Sequence, residues 1–180
     1  MSHLEITKES TATGEISEIF DDIKRVMEIP FVPNILKSQG MSESALKGLW
    51  GVFSNVFLST QLPISLAAMI LYRIASEHKC EYCSAVHKMT CKTVGMDEET
   101  LAALENDLEN LRPMRIQKIV AFAEQCAIHP QTITAQDHDQ LRAEGISDEE
   151  ITEIIALAAL GNYLDTLADS IQINVDDVFK

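Results

Sequence analysis

Basic residues are scarce in this chain: 14 Lys and Arg stand against 28 Asp and Glu, a formal net charge of -14. A surface of that sign repels phosphate backbones, so nucleic-acid binding is not expected and the acidity serves solubility. Long apolar runs are also missing. Stretches such as Leu66 to Tyr72 fall well short of the ~20 residues that span a bilayer, so no membrane association is expected. The amino terminus shows no basic segment leading into an apolar one, so no secretory signal is expected. No run alternates polar and apolar residues as a half-buried strand would. Without strands there is no Gly-rich phosphate loop between strand and helix, so no nucleotide or flavin cofactor is expected. Cysteines number only four, with no second CxxC and no HxxxH to complete a zinc shell, so no metal is expected. The expectation is a soluble cytoplasmic protein, whose thiols stay reduced unless a catalytic cycle oxidises them.

What the chain does have is helical period. With 180 residues, 46% of them hydrophobic, it suffices for one domain (1–180) with a substantial core. Ile16, Ile19, Phe20, Ile23, Val26 and Met27 share one face of a helix over 15–28, which then meets Pro30 and Pro33 at an extended elbow. Ser42 caps a helix through Leu46, Leu49, Trp50, Phe53 and Phe57. Pro63 opens another over 64–76, and a further helix over 80–94 ends at Gly95. Acidic starts follow at Asp97 and, as a capping box, at Ser147 to Glu150, with helices from Pro113 and Thr134 between them. Residues 1–13 read as a flexible arm and 170–180 as an extended tail. The fold class is all-α, with seven or eight helices.

Chemistry concentrates in Cys80-Glu81-Tyr82-Cys83-Ser84-Ala85-Val86-His87. On a helix Cys83 and His87 are i and i+4, so the imidazole can take the proton of that sulfur or hold its thiolate. Cys80 lies on the same side, close enough to bridge to Cys83. A reactive thiol needs a lowered pKa. No Pro or Gly interrupts 64–94, so propensity alone allows one long helix. A break at Ser76 to Lys79 serves the chemistry better, because it sets Cys80 at the positive end of a helix dipole. Two plainer readings compete: buried packing, and a zinc half-site. Cys91 extends the stripe to C-x2-C-x3-H-x3-C, but those four residues spread over about 16 Å of helix, too far for one tetrahedral ion.

These residues, with Val32-Pro33-Asn34, Leu62-Pro63, Val94-Gly95, Gly145-Ile146-Ser147 and then Leu164, Ala168 and Asp169, resemble the carboxymuconolactone decarboxylase family, in its alkylhydroperoxidase D-like, peroxidase-related branch. The resemblance implies an all-α homo-oligomer, a trimer or hexamer, that reduces peroxides or disulfides through two cysteines and takes electrons from a dithiol carrier. It implies that Cys83 attacks, that Cys80 is the more exposed, resolving partner, and that His87 is the base. The family's proton relay also uses a Glu twelve residues before the first cysteine, and here that position is Ala68. Glu77 or Tyr82 would be the replacement; the plain alternatives are a solvated carboxylate and a packed ring with its hydroxyl bonded. The missing Glu favours disulfide reduction over fast peroxide reduction. Thioredoxin-like poise would instead make Cys80 the attacking thiol. Lactone decarboxylation needs no dithiol and wants cationic groups for an anionic substrate, so the lyase reading is rejected.

The competing function is a non-catalytic oligomeric redox sensor or scaffold. Elsewhere, Cys91 and Cys126 read as buried hydrophobes, His129 as a helix-end residue and Trp50 as packing. His78 reads as an exposed side chain beside Cys80.

Overall fold

The computed structural model describes residues 2–180, and every regular element among them is helical. The described residues form nine α-helices: α1 Gly14–Met27, α2 Asn34–Ser38, α3 Glu43–Phe53, α4 Ile64–His78, α5 Glu81–Thr93, α6 Glu98–Asn106, α7 Met114–Ile128, α8 Ala135–Ala143 and α9 Asp148–Ile171. Eight correspond to the expected helices. The ninth is α2, five residues that begin directly after Pro33, where an extended elbow was expected. Proline lacks a donor the first turn would leave unpaired anyway, so Pro33 starts a helix as readily as it ends one. The elbow proper is the stretch from Glu28, in left-handed backbone at φ 55°, to Pro33. Helix α3 ends in a π-helical turn, Ser54–Leu58, that brings Phe53 and Phe57 together with ring centroids 5.3 Å apart.

Helix α4 is the centre of the molecule. Leu66 to Ala75 is buried at every position but Met69, which is half-buried, so the helix has no solvent stripe and is covered by neighbours on all sides. Those neighbours are α5, α6, α7 and α9. Helix α9, 24 residues long, is apolar and long enough by composition to cross a membrane. Here its apolar positions Ile151, Ile154, Leu157, Ala158, Leu160 and Leu164 are buried, and the helix packs on α4 and α7. The α4–α9 approach is close at Gly161, where a Cβ would stand 3.0 Å from Ile74 Cγ2. Glu153 of α9 accepts from the Gln61 and Leu62 amides (2.9 and 3.3 Å) and fixes the entry into α4.

Both terminal segments lie against this core. The amide of His3 donates to Ile171 O (2.8 Å), that of Thr7 to Lys37 O (3.2 Å), and that of Val32 to Glu9 Oε1 (3.0 Å). In the carboxyl-terminal segment Ile173 and Asp176 are buried. The chain therefore folds the expected arm and tail onto the helices at named points.

The expected break between α4 and α5 is present. Lys79 is in left-handed backbone (φ 59°), and the Cys80 amide donates back to Ala75 O (3.0 Å), closing α4 as a Schellman turn does. Cys80 becomes the N-cap residue of α5. A Lys in the region that favours glycine costs about 1 kcal/mol, and the turn it makes is what separates the thiol-bearing helix from α4.

Candidate functional site

The turn at Lys79 and the first turn of α5 set the two sulfurs side by side under α9. Cys80 Sγ, Cys83 Sγ and a carboxylate oxygen of Asp165 all lie within 4.8 Å of one another, and all three residues are buried. Cys80 is wholly buried and Cys83 2% exposed, so the resemblance's more exposed Cys80 is not found. The physical reason is the chain reversal, which tucks the Cys80 side chain into the α4–α5 junction. All four cysteines are unbridged.

The carboxylate beside the thiols comes from α9, not from α4 or α5. Asp165 is 4% exposed, and its Oδ2 is hydrogen-bonded to His78 Nδ1 at 2.8 Å; the ionised carboxylate accepts. Burial pushes the Asp165 carboxyl above the ordinary carboxylate range, against the lowering effect of bonds from Cys83 and His78. The Cys83 thiol is displaced strongly upward by its bond with Cys80, by burial and by the Asp165 charge. In the reduced protein Cys83 is therefore a thiol. A reaction through this sulfur would need a group that removes the proton rather than a field that holds a thiolate.

His87 lies one turn further along α5, 5% exposed, and shares a cavity wall with Cys83. Burial alone lowers its pKa to about 4, which keeps the imidazole neutral near pH 7. It is thus a hydrogen-bonding group in the cavity wall and not a cation beside the sulfur.

The two side chains expected as relays turn elsewhere. Glu77 pairs with Arg73, a buried guanidinium that also binds Glu124 Oε2 (2.6 Å) and Leu104 O (3.0 Å). The attraction of that buried cation draws Glu77 toward α6 and α7. The Tyr82 hydroxyl donates to Asp176 Oδ2 (2.9 Å) and accepts from the Ile35 amide (3.2 Å). Asp176 also accepts from the Asn34 amide at the start of α2 (3.1 Å), so Tyr82 ties the carboxyl-terminal segment to α2. Ala68, at the position of the family's Glu, is wholly buried in α4. Cys91 and Cys126 have pKa values pushed by burial to about 12 and about 11, as inert core thiols should.

Cys83 and His87 open on a cavity of about 550 Å³. Its wall includes Phe31, Phe53, Phe57, Tyr82 and Phe179, with Met27, Met89 and Leu164, and no Asp, Glu, Lys or Arg. Cys80 does not line it. That residue borders a separate polar recess with Ser76, Lys79, Glu81, Lys88 and Glu105. A metal ion would find three donors at the thiols, one short of a closed structural zinc set, with Asp165 Oδ2 already engaged by His78.

Of the residues the sequence pointed to, the structure brings Cys80 and Cys83 together and sets His87 on the cavity wall that Cys83 shares, while Asp165 was not among them. The available signal was an acidic residue at i+4 from Gly161 and i−3 from Ala168, on the apolar stripe of a helix where a charge has to find a partner.

The architecture is that of the alkylhydroperoxidase D core, an all-α fold. Its counterparts among solved structures include an alkylhydroperoxidase D core, peroxidase-related protein from Ralstonia eutropha JMP134, with a TM-score of 0.89 at 17% identity, covering 99% of this chain and 94% of that one. A peroxidase-related protein from Silicibacter sp. TM1040 superposes with a TM-score of 0.86 at 19% identity, over 99% and 93% of the two chains. A cysteine-to-alanine variant of the debrominase Bmp8, in complex with 2,3,4-tribromopyrrole, gives 0.81 at 17% identity, over 99% and 96%. No family model and no curated protein matches the sequence.

Proposed function

We propose that this protein is a dithiol oxidoreductase that reduces an uncharged, apolar organic substrate, a hydroperoxide or a disulfide. The observation that carries the reading is the buried Cys80–Cys83 pair with Cys83 alone opening on a charge-free cavity of about 550 Å³. A charged substrate entering that wall would lose its hydration without a partner, at a cost of several kcal/mol. Neutral His87 supplies one polar contact among rings and methyls, the usual make-up of a pocket that orients an apolar ligand.

With a hydroperoxide ROOH, Cys83 sulfur attacks the terminal oxygen. The S–O bond forms, the O–O bond breaks, and Cys83 leaves as sulfenic acid while RO⁻ takes up the thiol proton to become ROH. Cys80 then attacks Cys83 sulfur, releasing water and leaving the Cys80–Cys83 disulfide. With a disulfide RSSR the same attack gives a mixed disulfide and one RSH, and Cys80 releases the second. An external dithiol restores both thiols and is itself oxidised to a disulfide, so each turnover moves two electrons. The polar recess beside Cys80 supports entry of that reductant from the side away from the substrate. The debrominase among the structural neighbours supports a cavity in this fold that accepts flat apolar rings.

The test is dithiothreitol-driven turnover of an uncharged organic hydroperoxide and of an uncharged aromatic disulfide. Cys83→Ser is expected to abolish both, and pre-reduced Cys80→Ser, given substrate with no dithiothreitol present, to react once and hold Cys83 as sulfenic acid or mixed disulfide. Absence of turnover on either substrate, with the helical fold intact, would move the reading to a redox sensor that reacts once and changes its assembly.

A further inference from the structure

We infer that Asp165 is the base that activates Cys83, and that His78 positions it. The inference rests on the dithiol reading and assigns to it a carboxylate that the CxxCxxxH spacing does not contain.

Three observations converge. The Asp165 carboxylate reaches both sulfurs, within the 4.8 Å that encloses the three groups. It is brought there by α9, on which Gly161 allows the close approach to α4 that seats the helix over the thiols. Its other side is held by His78 Nδ1 at 2.8 Å, and His78, with its side chain 30% exposed, reaches water from the end of α4. An acidic side chain buried on an apolar stripe without a Lys or Arg partner is costly to keep ionised. The cost is explained when the group exchanges a proton with something, and the Cys83 thiol lies within 4.8 Å of it. His87, neutral and with its basicity depressed by burial, is a poor acceptor for that proton. The groups that face Asp165 are Cys80 and Cys83 from α5, His78 from α4 and Asp169 from its own helix.

The step balances simply. As Cys83 sulfur bonds to the peroxide oxygen, its proton passes to the Asp165 carboxylate, and Asp165 returns it to the departing alkoxide. The same exchange serves Cys80, whose proton goes through Asp165 to the hydroxide leaving Cys83, which departs as water. Each time the carboxylate ends as it began. The bond from His78 favours the ionised carboxylate and opposes the effect of burial, which raises the Asp165 pKa.

The experiment reads Cys83 directly. In a Cys80→Ser background, the rate of Cys83 alkylation by uncharged N-ethylmaleimide is followed against pH by peptide mass mapping. Asp165→Asn is expected to slow the reaction at pH 7 about a hundredfold, the low end of what a positioned base contributes, and to move its rise to alkaline pH. If Asp165 acts only as a charge, the opposite follows: removing a negative neighbour favours the thiolate, so alkylation at an equal or faster rate overturns the inference. His78→Ala, at an accessible helix end, covers the case in which Asp165→Asn does not fold. It is expected to shift the acid limb of the profile to higher pH while leaving the plateau, and an unmoved limb overturns the positioning role. These rates need no turnover, so they separate from the dithiol reading, which fails if the native protein cycles on neither oxidant.

Discussion

At the scale of the residue, the site is a set of groups whose protonation is set by burial rather than by ion pairing. His87 shows this most simply. Its pKa falls to about 4 in the fold, against about 6.5 for the unfolded chain. Below pH 6.5 the unfolded state therefore takes up a proton that the folded state refuses until pH 4. Stability is full above 6.5 and declines as the pH drops through that window, by about 3 kcal/mol in all. Urea unfolding between pH 7 and 4 should show this decline, and His87→Gln should remove it; a His87→Gln protein with an unchanged pH dependence would contradict the assignment. Cys80, Cys83 and His87 were legible because all three sit within three turns of one helix, where spacing dictates proximity. Asp165 was not. Only the packing of α9 across α5 brings it to the thiols, and no local pattern encodes which stripe of α9 faces which neighbour.

Among elements, the carboxyl-terminal segment holds the cavity wall in place. Phe179 packs edge-on against Phe31 with centroids 6.1 Å apart, and Asp176 gathers the Tyr82 hydroxyl and the Asn34 amide. Tyr82→Phe leaves buried Asp176 short of a donor, which should cost about 1–3 kcal/mol, measured by urea unfolding. Turnover under stabilising conditions should persist, because the hydroxyl is engaged with Asp176 and not with the sulfurs; a loss of turnover at unchanged stability would return Tyr82 to the proton path. The α4–α9 contact gives a second test. Gly161→Ala sets a methyl against Ile74 where 3.0 Å is available, so overpacking should lower stability by about 1–3 kcal/mol and weaken Asp165 control of Cys83 alkylation. Helix limits and caps followed from local signals such as Pro63, Gly95 and the Ser147 box, whereas the α4–α5 break carries no Pro or Gly and was expected only from the chemistry of a thiol at a helix start. Helix α2 escaped notice because Pro33 is equally a stop and a start.

For the whole molecule, charge and cavity divide the work. A net charge of -14 surrounds a cavity without a charged wall residue. Under the proposed function the outer field would act on the reductant and the inner surface on the substrate. Reduction of the oxidised protein by an anionic dithiol, such as one bearing a carboxylate, should be slow at low ionic strength and accelerate as salt screens the repulsion. Reduction by uncharged dithiothreitol should vary little with salt. Stopped-flow reduction over a salt series decides between them, and equal salt dependence for the two would place the reductant's route away from the acidic surface. The resemblance implies a trimer or hexamer, and light scattering after size exclusion should return three or six times the chain mass.

By itself the sequence determined the all-α class, nearly every helix and the thiol motif, because helical period, caps and an i, i+4 pair are properties of neighbouring residues. Tertiary structure alone decided what surrounds that motif. It placed the carboxylate of Asp165 against Cys83 and His78, turned Glu77 to Arg73 and Tyr82 to Asp176, and built a charge-free wall from α1, α3, α5 and the last residues of the chain. Those contacts join residues far apart in the chain through the packing of α9 and the terminal segment. Only close packing of the assembled helices selects the partners that such residues meet.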